Sequence, residues 1–179
     1  MTAFSDLTAS FTGWGAVISG RADAGRHFRF TRAGLLVAAG WFLIAILLSI
    51  AVQSVLAAVA PTPQVLFGVV AELVTLTLLG VALRQVLIWL KSDISALTLL
   101  VPATYALAYL FVVSILLALL SNGLGVIALL AVAAMIGRAA QVLGGLKPGP
   151  AAGVAGVCVL VLVIVPNALY MLLLLFPTA

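Results

Sequence analysis

The fold of this chain is decided where RADAGRHFRFTR (residues 21–32) meets AGLLVAAGWFLIAILLSIAVQSVLAAVA (residues 33–60). The first segment carries four arginines, and the second is an apolar run longer than the about 20 residues that a helix needs to cross a bilayer. Short segments rich in Lys and Arg stay on the cytoplasmic side of a membrane. We therefore predict that the chain starts in the cytoplasm and enters the membrane near Gly34.

The whole chain has the composition of a membrane protein. Of its 179 residues, 66% are hydrophobic and 7% are charged, whereas a soluble domain carries about 25% charged residues. The formal net charge of +4 would suggest nucleic acid in a soluble protein, but here attraction to lipid headgroups explains it, so we expect no nucleic-acid partner. The single cysteine, Cys158, excludes an intrachain disulfide and a cysteine-based metal site.

Five apolar runs qualify as membrane spans, and turns rich in proline, glycine or polar residues separate most of them. They cover about residues 34–60, 65–90, 94–120, 124–143 and 151–176. We predict an all-α, polytopic transmembrane helical bundle over residues 33–179, preceded by a cytoplasmic amphipathic and basic segment over residues 1–32. Four spans with one re-entrant segment are the alternative.

The basic residues orient these spans, because five crossings place every one of them on the same side. They are Arg21, Arg26, Arg29 and Arg32 before the first span, Arg84 and Lys91 around the second connection, and Arg138 and Lys147 around the fourth. We predict a cytoplasmic N-terminus and a periplasmic C-terminus. The same residues are candidate contacts for anionic lipid headgroups. The cluster at residues 21–32 has specific lipid or nucleotide binding as its alternative role.

The N-terminal segment has helical periodicity. Its large apolar residues, Phe4, Leu7, Phe11, Trp14 and Ile18, are spaced 3, 4, 3 and 4 apart and share one helix face. The other face carries Ser5, Thr8, Ser10 and Thr12. We predict an amphipathic helix in the cytoplasmic interface. It either packs on the cytoplasmic ends of the spans or senses lipid packing.

Glu72 is an acid inside a predicted span, and an intramembrane carboxylate is a hypothesis of function by default. Counting about 1.5 Å per helical residue places it in one outer layer with three other polar side chains. The layer comprises Gln53, Glu72, Ser114 and Asn167. Glu72 either ties helices together, binds a proton or cation that crosses the membrane, or lies shallow enough to touch water. Asn167 would bridge to Glu72 or bond the backbone that Pro166 leaves free.

Small residues at the start of the last span predict close helix contact. Gly149, Gly153 and Gly156 would let another helix approach, within the bundle or between copies of the chain.

The sequence lacks the motifs of enzymes and cofactor sites. It contains no HExxH, GxSxG or P-loop pattern, and it has one histidine, one cysteine and four acids. We expect no catalytic residues, no metal site and no cofactor.

The start of the chain resembles an uncharacterised bacterial family of small polytopic membrane proteins. Members tend to have a Phe-Asp-x-Ser/Thr-x-x-Gly-Phe-Trp pattern entering the first span, and Phe28, Thr31 and Gly34 match it. Arg29 replaces the acid, and two leucines replace the aromatic pair. The five-span layout is also similar to that of Yip1-domain proteins, which are linked to membrane trafficking and organisation. The resemblance implies a location in the bacterial inner membrane.

Two functions are compatible with these patterns. We expect a non-enzymatic integral membrane protein that acts as a scaffold, assembly or membrane-organisation subunit, with a membrane-protein partner or a second copy of itself. The alternative is a small transporter or proton-coupled permease component that uses Glu72.

Overall fold

A computed structural model of the chain describes residues 3–56, 63–118 and 124–175. Within those residues it consists of six α-helices and one short 3₁₀ helix, without strands, so the all-α prediction is confirmed. The helices are α1 (Ala3–Ile18), α2 (Arg32–Leu56), α3 (Pro63–Trp89), α4 (Ala96–Ala118), α5 (Leu124–Val142) and α6 (Pro148–Leu175), with the 3₁₀ helix at Ala24–His27.

Helices α2 to α6 correspond to the five predicted apolar runs. Four of them contain a stretch long and apolar enough to cross a membrane: Arg32–Val52, Phe67–Trp89, Ala96–Ser114 and Pro148–Leu172. In α5 the corresponding apolar stretch among the described residues is shorter, Ile127–Val142.

Two helices begin on a proline that lies in a segment predicted to separate two spans. α6 starts at Pro148 rather than near Ala151, and α3 starts at Pro63. Proline is tolerated in the first turn because its missing N–H would have no intrahelical partner there. α4 starts later than predicted, at Ala96, after Ser95 Oγ accepts a hydrogen bond from the Leu97 N–H at 3.3 Å. This is the usual bond of an N-cap serine.

α1 and α3 end in the same way, on a residue with a positive φ. Gly20 has φ +71°, and the Arg21 N–H bonds the Ala16 carbonyl at 2.9 Å. At the end of α3, Lys91 has φ +50°. The Ser92 N–H there bonds the Leu87 carbonyl at 3.0 Å. Both are Schellman motifs, in which glycine normally occupies the left-handed position.

α4 is the central helix of the bundle. Its residues 101–108 are all buried. α2 packs mainly on α4, α5 packs on α4 and α6, and α3 packs mainly on α6. Although α2 and α3 are consecutive in the chain, they make few contacts with each other.

The close contact between α5 and α6 depends on Gly137, because a Cβ built there would lie 2.9 Å from the Ala155 Cβ. The three glycines of α6 that are predicted to make close helix contact lie on its outer side. Gly149, Gly153 and Gly156 are exposed, and a Cβ on any of them would meet nothing within 4 Å. Among the described residues, these three glycines therefore make no close helix contact inside the bundle.

The segments that carry basic residues meet at one end of the bundle, which we call the basic end. There Ile94, before α4, lies 2.9 Å from a Cβ built on Gly144, after α5. A Cβ built on Gly20, after α1, would lie 2.5 Å from the Arg138 guanidinium. At the opposite end, the ring of Phe67 on α3 packs against that of Tyr170 on α6, with centroids 6.2 Å apart.

Candidate functional site

The side of α1 that faces the bundle carries two polar residues beside small and apolar ones. Its buried residues are Asp6, Ser10, Gly13, Trp14, Ala16 and Val17. Phe4, Phe11 and Ile18 are exposed by 66%, 73% and 58%. Residues seven apart lie at nearly the same angle around a helix, so these three form one outward apolar stripe. This distribution is the reverse of that expected for a helix whose outer side lies in water.

The first turn of α1 is fixed by an ion pair with the segment before α2. Arg29 Nη1 donates to Asp6 Oδ2 at 3.0 Å. The Asp6 side chain is 6% exposed and that of Arg29 is 44% exposed. The other carboxylate oxygen, Oδ1, has no hydrogen-bond partner among the described residues. Burying a carboxylate is costly unless a cation compensates it, which Arg29 does here.

The middle of α1 is fixed by a tyrosine from α4. The Tyr109 hydroxyl lies 2.6 Å from Ser10 Oγ, and it donates to the Leu7 carbonyl at 3.2 Å. The ring of Phe11 packs edge-on against the Tyr109 ring, with centroids 6.0 Å apart. Nearer the N-terminus of α1, Trp41 Nε1 donates to the Ala3 carbonyl at 3.1 Å. α2 and α4 therefore both hold α1 through its backbone and its short polar side chains.

A small cavity lies beside the ion pair. It measures about 10 Å³, and Asp6, His27, Arg29, Gly34, Val101 and Tyr105 line it. This is about the room of one water molecule, which would supply the bond that Asp6 Oδ1 lacks. We call the group Asp6, Ser10, Arg29, Tyr105 and Tyr109 the polar seam. Its geometry suits fastening α1 to the bundle, and its cavity has no room for a larger molecule.

Gly34 allows the chain to turn into α2 beside this cavity. A Cβ built on Gly34 would lie 2.0 Å from the backbone oxygen of Arg29, a distance that atoms do not reach. The Gly34 N–H bonds Thr31 Oγ1 at 3.1 Å, which caps the start of the helix. The turn therefore holds Arg29 in the position from which it pairs with Asp6.

The sequence pattern does not predict the polar seam. The periodicity of the large apolar residues assigns Ser10 to the opposite, polar face of α1 and gives no role to Asp6. A usable signal is present, because Asp6, Ser10, Gly13 and Val17 are spaced 4, 3 and 4 apart and the first three are small or polar. That spacing marks a second helix face, of the kind that lets helices pack closely in membranes.

The predicted outer layer is not joined by hydrogen bonds among the described residues. Ser114 Oγ donates to the Phe111 carbonyl at 2.8 Å, and Asn167 Nδ2 donates to the Val163 carbonyl at 2.7 Å, each on its own helix. The side chain of Gln53 lies outside the described residues. Pro166 deprives the Leu162 carbonyl of its usual helix donor, but Asn167 bonds the neighbouring Val163 carbonyl and not that one.

Glu72 is half-buried on α3, which packs mainly on α6. It interacts electrostatically with Tyr170 of α6. The Tyr170 hydroxyl lies 3.3 Å from a Cβ built on Gly68, one turn before Glu72. Among the described residues, no group donates a hydrogen bond or forms an ion pair with the Glu72 carboxylate.

All eight basic side chains are exposed. Besides Arg29, Arg21 pairs with Asp23 at 2.9 Å, and Arg138 Nη1 donates to Gln141 Oε1 at 2.9 Å. In the described part of the chain the others have no carboxylate partner; they are Arg26, Arg32, Arg84, Lys91 and Lys147. They remain available to anions outside the chain.

No group of three potential metal ligands occurs among the described residues. No family model, curated protein or solved structure matches the chain. The geometry of the described residues is therefore the basis of the function proposed below.

Proposed function

We propose that the chain is an integral protein of the bacterial inner membrane with five crossings, a cytoplasmic N-terminus and a periplasmic C-terminus. Four helices long and apolar enough to span support this placement, and α5 lies beside them as the fifth. The basic end supports the orientation, because Lys and Arg accumulate on the cytoplasmic side. A reporter fused after residue 179 that is active only in the cytoplasm would contradict it.

In this placement α1 is an amphipathic helix that enters the membrane from the cytoplasmic side. Its outward stripe of Phe4, Phe11 and Ile18 would face lipid, while the polar seam holds its other side. Its partners Trp41 and Tyr109 lie roughly 14 Å and 20 Å along α2 and α4 from the starts of those helices. These distances exceed the about 5–10 Å to which an interfacial helix is buried, so the N-terminal half of α1 would lie inside the membrane. This position also favours packing on the spans over the lipid-packing sensor.

For the function, we propose a non-enzymatic scaffold, assembly or membrane-organisation subunit that binds a membrane-protein partner or a second copy through α6. The observation that carries this proposal is the outward side of α6. Gly149, Gly153 and Gly156 are exposed with nothing near them, while Ala151 and Val154 on the other side are buried. Small residues on an outer helix face let a second helix approach closely, the main source of helix association in lipid.

Cysteine cross-linking in native membranes tests this proposal. We expect Gly156→Cys, in a Cys158→Ala background, to give a disulfide-linked product whose mass identifies the partner. Gly40→Cys is the matched control, because Gly40 is also exposed, is uncontacted and lies equally far into its helix. If cysteines at all three α6 glycines give no larger product, or if Gly40→Cys gives the same one, the scaffold proposal is wrong.

Glu72 supports the alternative function, a small transporter or proton-coupled permease component. It is half-buried and has no hydrogen bond to a described residue, which leaves its carboxylate free to bind a proton or cation. Proton flux into vesicles holding the purified protein, followed with an internal pH dye, tests this role. A flux that Glu72→Gln abolishes would support transport, and an absent or unchanged flux would remove it.

A further inference from the structure

α2 and α3 leave a lateral groove between them at the basic end. It encloses about 480 Å³, within the range of about 300–1,000 Å³ that is usual for binding sites of small molecules. The walls include Leu36 and Ala39 from α2 and Thr77, Val81 and Arg84 from α3, and Leu100 of α4 is part of the floor. The lining is almost entirely apolar, with Arg84 as its one charged residue.

The groove results from the packing order of the helices. α2 lies mainly against α4 and α3 mainly against α6, so the two consecutive helices stand apart. Gly80 brings α4 close to α3, since a Cβ there would lie 3.1 Å from Leu100 Cδ2. The walls are open to the outside, with Leu36 73% and Val81 60% exposed.

Arg84 is the polar feature of this groove that lacks a partner. Thr77 Oγ1 donates to the Leu73 carbonyl of its own helix at 2.9 Å. Arg84 has no carboxylate within 4.0 Å among the described residues, although Arg21 and Arg29 each have one. An unpaired charge on a span is costly unless it finds a counter-charge or reaches the headgroups.

The side chain of Arg84 is long enough to reach the lipid phosphates from its position in α3. It lies roughly 8 Å along α3 from the last helical residue, Trp89, which is 72% exposed. Exposed tryptophans at the ends of spans lie at headgroup level. A lipid whose phosphate is near Arg84 would therefore have its acyl chain directed along the groove.

We propose that the groove binds one anionic phospholipid, with its phosphate on the Arg84 guanidinium and one acyl chain between α2 and α3. This inference rests on the proposed placement of the basic end in the cytoplasmic leaflet. Guanidinium and phosphate form short, charge-assisted hydrogen bonds, often two at once. A headgroup with a net negative charge attracts Arg84 more strongly than a zwitterionic headgroup, which has no net charge.

Native mass spectrometry of the purified full-length protein, titrated with phosphatidylglycerol or phosphatidylcholine, tests the charge. We expect one phosphatidylglycerol to stay bound after detergent removes the others, and Arg84→Gln to weaken it about tenfold, the loss of one charge-assisted hydrogen bond. Arg26→Gln, at an exposed arginine outside the groove, should leave it unchanged. Equal loss in both variants, or equal retention of phosphatidylcholine, overturns the proposal.

A second pair of variants tests the groove without touching the charge. Ala39→Phe would fill the groove and should remove the lipid, whereas Ala134→Phe, at an exposed alanine of α5, should not. Lipid that stays bound to a folded Ala39→Phe protein shows that Arg84 binds headgroups outside any groove and overturns the site. Neither pair alters α6, so failure here and failure of the cross-linking experiment are distinguishable.

Discussion

Arg29 Nη1 lies 3.0 Å from Asp6 Oδ2, and this pair joins the segment before α2 to the first turn of α1. The two partners are unequally exposed, at 6% for Asp6 and 44% for Arg29. Loss of Arg29 and loss of the Asp6 carboxylate therefore have different consequences. Without Arg29 a buried carboxylate is left uncompensated, whereas without the carboxylate the guanidinium can still reach its surroundings.

We therefore predict that Arg29→Gln destabilises the docked α1 by about 2–3 kcal/mol and Asp6→Asn by about 1 kcal/mol. Thermal unfolding and amide hydrogen exchange of α1 in nanodiscs measure both. Arg21→Gln is the control, because its pair with Asp23 is exposed at both partners and is worth less than about 1 kcal/mol. Equal effects of the two seam variants would contradict the asymmetry.

The Tyr109 hydroxyl should contribute to stability through its two contacts with α1. We expect Tyr109→Phe to cost about 1 kcal/mol, the usual net value of a hydrogen bond. Ser10→Ala should cost a similar amount, and the double variant should cost less than the sum because the two side chains share a bond. Tyr170→Phe provides the control, with an expected change within about 0.5 kcal/mol. Additive losses would show that Ser10 and Tyr109 do not act together.

Two glycines of α2 should respond in opposite directions to the same substitution. Gly34→Ala should prevent the turn before α2, because its Cβ would overlap the Arg29 backbone oxygen, and we expect a loss above about 3 kcal/mol. Gly40→Ala should stabilise the helix by up to about 1 kcal/mol, since nothing lies near its Cβ. Unfolding midpoints in detergent compare the two. A tolerated Gly34→Ala would show that this turn is wrongly described.

Lys91 occupies the left-handed position at the end of α3, where glycine is the favourable residue. We predict that Lys91→Gly stabilises the protein by about 1 kcal/mol and raises Tm by about 2–4 °C. Lys91→Ala removes the same charge but keeps the steric penalty of its Cβ, so it should not raise Tm. Equal Tm changes in both variants would mean that the lysine charge, and not the backbone, is responsible.

The positions of the helices could be predicted from the sequence, but the faces they bury could not. Hydropathy locates a span because lipid requires an unbroken apolar helix. Hydropathy says little about which face of a helix is buried, because lipid and the protein interior are similarly apolar. On α1 the buried side therefore carries Asp6 and Ser10, while Phe11 lies outside.

Depth along a helix predicts which polar residues share a level of the membrane, but not which of them bond one another. Ser114 and Asn167 were predicted to share a layer with Glu72, yet each bonds a carbonyl on its own helix. Residues at one depth meet only if their helices are neighbours and turn the same faces toward each other. The bond from Tyr109 to Leu7 joins residues 102 positions apart, and no local pattern indicates such a pairing.

That separation also sets the order in which the protein can assemble. α1 leaves the ribosome before α4, and the Tyr109 hydroxyl that bonds its backbone arrives 102 residues after Leu7. At about 5–20 residues per second this delay is roughly 5–20 s. Until then Asp6 and Ser10 lack the α4 side of their binding site and are best solvated by water at the membrane surface. α1 therefore completes its docking only after α4 has been inserted.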